Sequence, residues 1–331
     1  MSEALEFNIL ISSAGRRVAL LEGFRQSLGV LGVPGRVMAI DCSPLAAAFH
    51  RADRAFVVPR CVDPAFIPSV AEICRREGVS LIVPTIDPEL PVYAARRAEI
   101  EAAGARVLVS SKAVVAICGD KVLTHRWLVD RGLPAVAQWE VGRVPTGQPL
   151  PLIAKPRFGS AAVGVRCITK AEDLEALPAS GEMIVQAVAT GIEVTVDVFV
   201  DQAGRCRCEV PRRRLEVRAG EVSKGVTVRH RRVEELAIRA AEALPGARGV
   251  LNVQLFLEPA TGEMRVIELN PRFGGGFPLS RHAGADFPSW IIEEALGRVC
   301  SARNDLWRSG VVMLRYDDAV FVSAEQVGLA P

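Results

Sequence analysis

The stretch at residues 252–272, NVQLFLEPATGEMRVIELNPR, holds the pattern that decides the fold. Apolar residues fill two short segments, 250–257 and 264–270, whose composition is typical of β-strands. Between them, the sequence Pro-Ala-Thr-Gly at 259–262 has the chemistry of a hairpin loop. These features predict an antiparallel hairpin around which the rest of the chain is organised.

Polar side chains interrupt this hairpin on one face. Because strand side chains alternate between faces, Glu268 and Asn270 point to the same side, and a turn centred near Thr261 places Gln254 opposite Glu268. A carboxylate among apolar neighbours is costly unless it is paired or binds a cation. Ligand sets made of oxygen atoms with few carboxylates suit Mg²⁺. Two interpretations follow: a magnesium site with Arg272 as a cation beside it, or a half-exposed hairpin whose polar residues face water.

Composition excludes several classes of protein. A chain of 331 residues is long enough for two or three packed subdomains. Its net charge is +2 and no basic block is interleaved with aromatic residues, which predicts no nucleic-acid partner. No apolar run reaches the roughly 18 residues that span a bilayer, and the acidic N-terminus lacks the basic region of a signal peptide. Eight scattered cysteines and four histidines show no metal-ligand spacing, which predicts reduced thiols in a cytoplasmic protein without membrane association.

The first third of the chain alternates strands with helices. Strands are predicted at 7–11, 36–41, 56–59, 81–84 and 106–109, and helices at 18–28, 64–77 and 91–103. This alternation predicts a parallel α/β sheet of Rossmann-like type. The first turn has one glycine, Gly15, in place of the G-x-G-x-x-G fingerprint, which argues against a nicotinamide oxidoreductase.

Polar residues cluster at the carboxyl ends of these strands, where open α/β sheets bind ligands. They are Ser12, Ser13, Arg16, Asp41, Asp87 and Glu89. Ordinary loop polarity and helix capping are the alternative interpretation of each. Position alone suggests substrate contacts at Ser12, Arg16, Asp87, Glu89, Ser280, Arg281 and Arg315.

The rest of the chain reads as α+β. Helices are predicted at 111–118, 120–131, 234–243 and 288–296, with a short one after Thr169. Strands are predicted at 151–156, 165–168, 183–188, 193–200 and 311–316, and another strand ends at Cys208. Lys155 ends a strand just before a glycine-containing loop that returns into a strand, which excludes a Walker-type phosphate loop. Such a loop can still fold over phosphates with its backbone N–H groups, or it is an ordinary turn. Only five of the 40 basic residues are lysines, so Lys121 and Lys155 stand out as compact charges.

The ordered series of these features resembles the ATP-grasp superfamily. It comprises Lys121, Lys155, the loop 159–164, Glu193, Gln254, Glu268, Asn270 and Arg272. The chain most resembles one synthetase unit of the carbamoyl-phosphate synthase large subunit, through residues 252–272 and the segment GIEVTVD at 191–197. The resemblance implies a Rossmann-like pre-ATP-grasp domain at 1–110 followed by an ATP-grasp fold of two α+β subdomains. These are an N-terminal subdomain with a glycine-loop lid at 111–185 and a C-terminal subdomain with the metal site at 186–331.

The resemblance also implies a role for each residue. The ATP-binding residues would be Lys121, Lys155, Gly159, Ser160, Gly164, Gln186, Val188 and Glu193. In this scheme the two lysines hold phosphates, the loop closes over them, the strand around Gln186 binds adenine through its backbone, and Glu193 takes a ribose hydroxyl. The ligands of Mg²⁺ or Mn²⁺ would be Gln254, Glu268 and Asn270, and the catalytic residues would be Arg272 and Lys155.

The function implied is that of an ATP-dependent ligase. It would join a carboxylate to an amine or a thiol through an acyl phosphate and release ADP and phosphate. A stand-alone unit that phosphorylates bicarbonate or carbamate, and a non-catalytic ATP-binding protein, are the alternatives. The chain holds one synthetase-like unit and no glutaminase, which argues against complete carbamoyl-phosphate synthesis. The expected partners are small-molecule carboxylates and amines, with a homodimer as the candidate assembly.

Overall fold

Three β-sheets, covered by helices, make up the chain in a computed structural model that describes residues 6–159, 163–178, 180–218 and 220–329. The first sheet has five parallel strands in the order β3-β2-β1-β4-β5. Its strands are β1 Asn8–Ser12, β2 Val37–Asp41, β3 Ala55–Val57, β4 Val79–Pro84 and β5 Arg106–Val107. Residues of β1 are buried throughout because helices cover both faces of the central strands. The predicted parallel α/β domain is confirmed.

Helices of this first domain follow the apolar periodicity with one exception. The helices are α1 Val18–Val30, α2 Phe66–Glu77, α3 Leu90–Ala95 and α4 Arg97–Ala102. The single helix predicted at 91–103 was wrong, because Arg96 leaves the helical conformation with φ −111° and ψ 24°. From this break, Arg96 donates hydrogen bonds to Glu99 and to the carbonyl of Pro64. The helix is therefore interrupted at Arg96, whose side chain instead contacts the loop before α2.

The second sheet is small and antiparallel, with the order β6-β9-β7-β8. Its strands are β6 Gln138–Glu140, β7 Leu152–Pro156, β8 Arg166–Ile168 and β9 Met183–Ala187. Helices α5 Lys112–Gly119 and α6 Lys121–Asp130 precede it, and α7 Ala171–Glu175 follows β8. Strand β6 is absent from the sequence prediction because it has three half-buried residues and no alternation to reveal it. The expected boundary between residues 185 and 186 falls inside β9, and the division into subdomains stays a prediction.

The third sheet has six strands in the order β14-β13-β10-β11-β12-β15, all antiparallel pairs. They are β10 Ile192–Val200, β11 Cys206–Arg218, β12 Glu221–Thr227, β13 Gly249–Leu257, β14 Met264–Asn270 and β15 Val312–Leu314. Helices α8 Arg231–Ala243, α9 Phe277–Ala283 and α10 Phe287–Ala295 belong to this part of the chain. The hairpin β13–β14 and its register, with Gln254 opposite Glu268, agree with the sequence prediction.

Three elements of this sheet region were mispredicted. Strand β11 continues past Pro211 and the arginines that follow it, where the sequence prediction stopped at Cys208. Arg212 can remain in the strand because its guanidinium is fully buried against Asp197. Strand β12 and helix α9 were missed, and α9 begins directly after Gly276 with a proline in its first turn, a position that proline tolerates.

An aromatic cluster fixes the first domain on the third sheet. Phe24 of α1 contacts Phe273 edge-on with ring centroids 6.0 Å apart. Phe273 contacts Phe277 of α9 at 4.6 Å, and Phe277 lies 5.7 Å from Phe287 of α10. Burial of these rings stabilises the junction by removing apolar surface from water. The junction brings the strand ends of the first sheet to the end of the β13–β14 hairpin.

All eight cysteines are free thiols. Across the described ranges, no helix combines the length and apolar character needed to cross a membrane.

Candidate active site

A cavity of about 720 Å³ lies where the three sheets meet. The N-terminal domain contributes residues 85–88 and Arg17, the small sheet contributes Lys155 and Gln186, and the large sheet contributes the hairpin. The predicted residues that line this cavity are Lys121, Lys155, Gly159, Gln186, Val188, Glu193, Gln254, Glu268, Asn270 and Arg272. Gly164 is not among the lining residues, and Ser160 lies outside the described part of the chain. Residues far apart in the sequence therefore converge on one cleft.

The hairpin presents the predicted oxygen set to this cleft. Gln254 and Glu268 are directly paired across β13 and β14, and Asn270 pairs with Asn252 two positions further on. Within the described ranges, no hydrogen bond and no ion pair within 4 Å engages the Glu268 carboxylate. Burial, and then the negative charge of Asp87, raise the pKa of Glu268, while Lys121, Lys155 and Arg272 oppose that rise. Burial of the charged Glu268 carboxylate therefore costs free energy, and no partner among the described residues offsets that cost.

These residues fit a hard divalent cation. One carboxylate and two amide oxygens on adjacent strands form a site of oxygen atoms only, the kind that Mg²⁺ accepts. Among the described residues, no group of three or more His, Cys, Asp or Glu side chains is placed to hold a metal ion. A metal site built from three or more such side chains is therefore not found in the described part of the chain. An unpartnered carboxylate that faces the cleft is the observation that favours a cation at this position.

Two lysines face the hairpin from the small sheet and helix α6. Helix α6 begins at Lys121 because the Asp120 side chain accepts hydrogen bonds from the backbone N–H groups of Val122 and Leu123. Lys121 Nζ donates to the carbonyl of Gly159 at 2.8 Å, which joins the helix to the glycine loop. Lys155 has no side-chain hydrogen bond or ion pair among the described residues. Burial lowers the pKa of Lys155 to about 8, so a charged lysine here is partly desolvated and available to an anion.

The strand expected to bind adenine, β9, lies beside the strand of Lys155 in the small sheet. Gln186 is buried, and its Nε2 donates to Gln138 Oε1 at 2.7 Å. Gln138 in turn donates to the backbone carbonyl of Lys121 at 3.0 Å. Gln186 therefore ties the small sheet to α6 and fixes the position of the first lysine.

Glu193 lines the cleft but is not free in this structure. Its carboxylate forms an ion pair with Arg214 of β11, a pairing that the sequence prediction did not contain. Arg214 also lines the cavity. A ribose contact by Glu193 stays a prediction, and it would have to share the carboxylate with this arginine.

Arg272 is held by the N-terminal domain. Its Nε and Nη2 donate to the two carboxylate oxygens of Asp87 at 2.7 and 2.6 Å. Its Nη2 also lies 3.4 Å from Asn270 Oδ1. The bidentate pair orients the guanidinium beside the oxygen set of the hairpin. Asp87 therefore acts on the cleft through Arg272.

The end of the cleft beyond Arg272 is rich in arginine. Arg17 and Arg315 both lie 3.1 Å from the carboxylate of Glu221, one on each oxygen. Arg315 also donates to the carbonyl of Gly275 at 2.5 Å. Arg16 lies 3.9 Å from the same carboxylate, so Glu221 gathers three guanidiniums next to the glycine segment that closes the cleft.

Three consecutive glycines allow this close approach. A Cβ at Gly274 would lie 1.9 Å from Asn252 Oδ1, and a Cβ at Gly276 would lie 2.0 Å from Arg212 Nη1. Asn252 Nδ2 donates to the carbonyl of Arg272 at 3.0 Å. Any side chain at these two positions would displace groups that support Arg272 or the buried Arg212.

Other polar residues proposed as ligand contacts from their position serve the fold. Glu89 is fully buried and accepts hydrogen bonds from Ser12, Ser13 and the backbone N–H groups of Thr85 and Ile86. This network shapes the loop that carries Asp87. Ser280 is also buried and bonds Asp197, and Arg281 pairs with Asp286.

Comparison with solved structures defines the class of protein. The fold matches the biotin carboxylase domain of Hydrogenobacter thermophilus 2-oxoglutarate carboxylase, solved as a dimer with MgADP, ADP and bicarbonate. The TM-score is 0.73 at 16% identity, over 93% of this chain and 73% of that chain. L-amino acid ligase from Bacillus licheniformis matches with a TM-score of 0.68 at 18% identity, over 93% of this chain and 78% of that one. The chain therefore has an ATP-grasp fold.

Sequence comparisons narrow this class. Residues 9–108 match the family model of the PylC-like N-terminal domain, and residues 179–317 match the model described as ATP-grasp in the biosynthetic pathway with Ter operon. The carbamoyl phosphate synthase large chain of Rubrobacter xylanophilus is 25% identical over 280 residues, which are 73% of this chain. The chain covers only 26% of the length of that relative. These matches confirm the resemblance to ATP-grasp proteins that was inferred from the sequence.

Proposed function

We propose that the chain is an ATP-dependent ligase that activates a carboxylate as an acyl phosphate. The observation that supports this most is the convergence of Lys121, Lys155, Glu268 and Arg272 on one cleft. Lys155 and Glu268 meet there without partners of their own among the described residues. Unpaired charges of both signs at a shared cleft suit a phosphate-bearing ligand together with a cation.

Each group of residues in the cleft would have its own binding role. Lys121 and Lys155 would neutralise phosphate oxygens of ATP, and the backbone around Gly159 would cover them. Gln254, Glu268 and Asn270 would hold Mg²⁺, which supplies charge neutralisation at the phosphates when bound. Arg272, oriented by Asp87, would steady the transferred phosphoryl group.

The reaction proposed has two steps. A carboxylate oxygen of the acceptor attacks the γ-phosphorus, the bond from that phosphorus to the bridging oxygen breaks, and ADP leaves with the electron pair. An amine or a thiol then attacks the acyl carbon, the bond from the acyl carbon to the phosphate oxygen breaks, and the proton of the nucleophile ends on phosphate. Phosphoryl transfer of this kind needs mainly alignment and charge neutralisation, which the cleft residues offer.

The acceptor side of the cleft supports an anionic substrate. Arg17, Arg272 and Arg315 surround the glycine segment 274–276, and two carboxylates, Asp87 and Glu221, pair with them. A guanidinium fork matches a carboxylate in geometry and charge. A carboxylate substrate is therefore proposed for this end of the cleft.

A second candidate has support from one comparison. The match to a carbamoyl phosphate synthase large chain favours a unit that phosphorylates bicarbonate or carbamate. We also propose that the chain forms a homodimer and has a cytoplasmic location. The dimeric biotin carboxylase domain supports the homodimer.

An ADP-release screen tests the ligase proposal. The purified chain is incubated with ATP, Mg²⁺ and a matrix of carboxylates, amines and thiols, with bicarbonate alone as a separate arm. ADP release that needs both a carboxylate and a nucleophile supports the ligase, and release with bicarbonate alone supports the second candidate. Absence of ATP binding by calorimetry would contradict both.

A further inference from the structure

A second cavity, of about 480 Å³, lies at the junction of the first and third sheets. None of its lining residues lines the ATP cleft. Its walls come from α4 and β5 on one side and from residues 248–249 and α10 on the other. The volume falls within the range of ligand pockets. The proposed function gives this cavity no role.

Three arginines from separate elements line it. Arg97 lies in α4, Arg106 in β5 and Arg248 just before β13. Arg97 Nη2 donates to the carbonyls of Val109 and Ser110, and Arg106 Nη1 donates to the carbonyl of Ala295 at 3.0 Å. Neutral carbonyls therefore position two of these guanidiniums without cancelling their charge.

None of the three arginines has a carboxylate within 4 Å among the described residues. The guanidinium of Arg248 makes no hydrogen bond in the described part of the chain, although the residue is half-buried. Burial lowers the pKa of Arg248 and the positive charges of Arg97 and Arg106 lower it further, while Glu294 and Glu101 oppose that change. Most arginines near the ATP cleft are, in contrast, paired with carboxylates.

Two carboxylates share the cavity and limit its charge. Glu294 accepts a hydrogen bond from the backbone N–H of Gln202, and Glu101 is exposed at the rim. Three guanidiniums against two carboxylates leave a positive surplus among the lining residues. A tetrahedral oxyanion offers several acceptor oxygens to guanidinium forks on different sides, whereas a single carboxylate offers two.

We propose that this cavity is a second binding site, for a phosphate group, that is separate from the ATP cleft. Arg97 and Arg106 would contact the phosphate from the edge of the first sheet, and Arg248 would contact it from the third sheet. A bound phosphate would thus bridge the two parts of the chain whose relative position sets the pair of Asp87 with Arg272. The ligand is either inorganic phosphate or the phosphate of an ester.

Titration calorimetry with two phosphate probes tests the site. Inorganic phosphate and glycerol 3-phosphate are each titrated into the full chain, with Mg²⁺ and a non-hydrolysable ATP analogue present to fill the cleft. The comparison uses Arg248→Gln and a matched control, Arg239→Gln, which removes the same charge from an exposed position on α8 outside both cavities. Arg106→Gln provides a second variant at an exposed residue if Arg248→Gln does not fold.

At least one probe is expected to bind the unaltered chain and the Arg239→Gln control alike. Arg248→Gln or Arg106→Gln should weaken that binding at least tenfold, and the tighter probe identifies the source of the phosphate. Absence of binding of both probes to the unaltered chain, or equal binding by the cavity variants and the control, would overturn the proposal. Binding of MgATP is measured for the same variants in parallel samples without the analogue, so this result is independent of the ligase proposal.

Discussion

Arg272 and Asp87 form a bidentate ion pair across the junction of two domains, with distances of 2.7 Å from Nε to Oδ1 and 2.6 Å from Nη2 to Oδ2. Asp87 begins the short 3-10 helix Asp87–Glu89 that comes after β4, and Arg272 follows β14. Because of this ion pair, the orientation of Arg272 in the cleft depends on the position of the N-terminal domain relative to the third sheet. Phosphoryl transfer is sensitive to such positioning.

Substitution of Asp87 by Asn should therefore reduce turnover more than nucleotide binding. We expect ADP release to fall roughly tenfold or more, because the loss of the charged fork lets Arg272 move. The dissociation constant of MgATP should change little. Steady-state kinetics and calorimetry separate the two effects, and Asp130→Asn, at an exposed position of α6, is the control. Unchanged kcat in Asp87→Asn would show that the ion pair does not position Arg272 for turnover.

Substitution of Glu268 by Gln should abolish turnover and stabilise the fold. Burial raises the pKa of this carboxylate, so at neutral pH its ionisation disfavours the folded chain relative to the unfolded one. Gln removes that charge, and we expect a higher Tm at pH 7–8 that returns toward the unaltered value as the pH falls toward the pKa of the unfolded chain. ADP release should fall by roughly 10²-fold or more.

Thermal melts and ADP-release assays on the same samples test this pair of effects. Glu263→Gln, an exposed glutamate of the same hairpin, is the matched control and should leave turnover unchanged. A Glu268→Gln chain with undiminished ADP release would remove the metal-ligand assignment.

Lys155 should take up a proton when nucleotide binds. Burial lowers its pKa to about 8, so at pH 8.5 most of the ligand-free chain has this lysine neutral. Phosphate oxygens favour the charged form, and binding should raise its pKa. Because binding raises this pKa, we expect proton uptake on binding at pH 8.5 and weaker nucleotide binding as the pH rises through 8. Titrations of MgADP in two buffers of different ionisation enthalpy measure the uptake. If Lys155→Met showed the same uptake, another group would have to be its source.

The glycine segment after Arg272 should tolerate no side chain. A Cβ at Gly274 would overlap Asn252 Oδ1, which must then give up its place beside Arg272. We expect Gly274→Ala to lose roughly 1–3 kcal/mol of unfolding free energy and most of its turnover. Gly29→Ala, in helix α1 with no atom near the added methyl, should gain roughly 0.5–1 kcal/mol. Chemical denaturation measures both, and equal stability of the two variants would contradict the close approach described for Gly274.

Much of this fold could be predicted because the hairpin is locally determined. Its apolar alternation and turn chemistry specify which residues face each other, and Gln254 and Glu268 are indeed paired. The parallel sheet of the N-terminal domain followed from the alternation of strands and helices, although the order of its strands was not predicted. These features depend on residues close together in the sequence.

The contacts that local patterns do not encode were missed. Arg214 pairs with Glu193 across neighbouring strands, and Arg17 and Arg315 meet at Glu221 from opposite ends of the chain. Strand β11 was cut short because Pro211 and three arginines look unlike a strand, and only the buried partner Asp197 makes Arg212 acceptable there. Asp87 was named for its position at a strand end, but its partner could not be inferred.

The most direct test of the nucleotide site is a crystal structure of the chain with Mg²⁺ and a non-hydrolysable ATP analogue. We expect a metal ion about 2.1 Å from side-chain oxygens of at least two of Gln254, Glu268 and Asn270, with phosphate oxygens in contact with Lys121 and Lys155. A nucleotide bound outside this cleft, or a metal ion that touches none of the three oxygen ligands, would contradict the assignment.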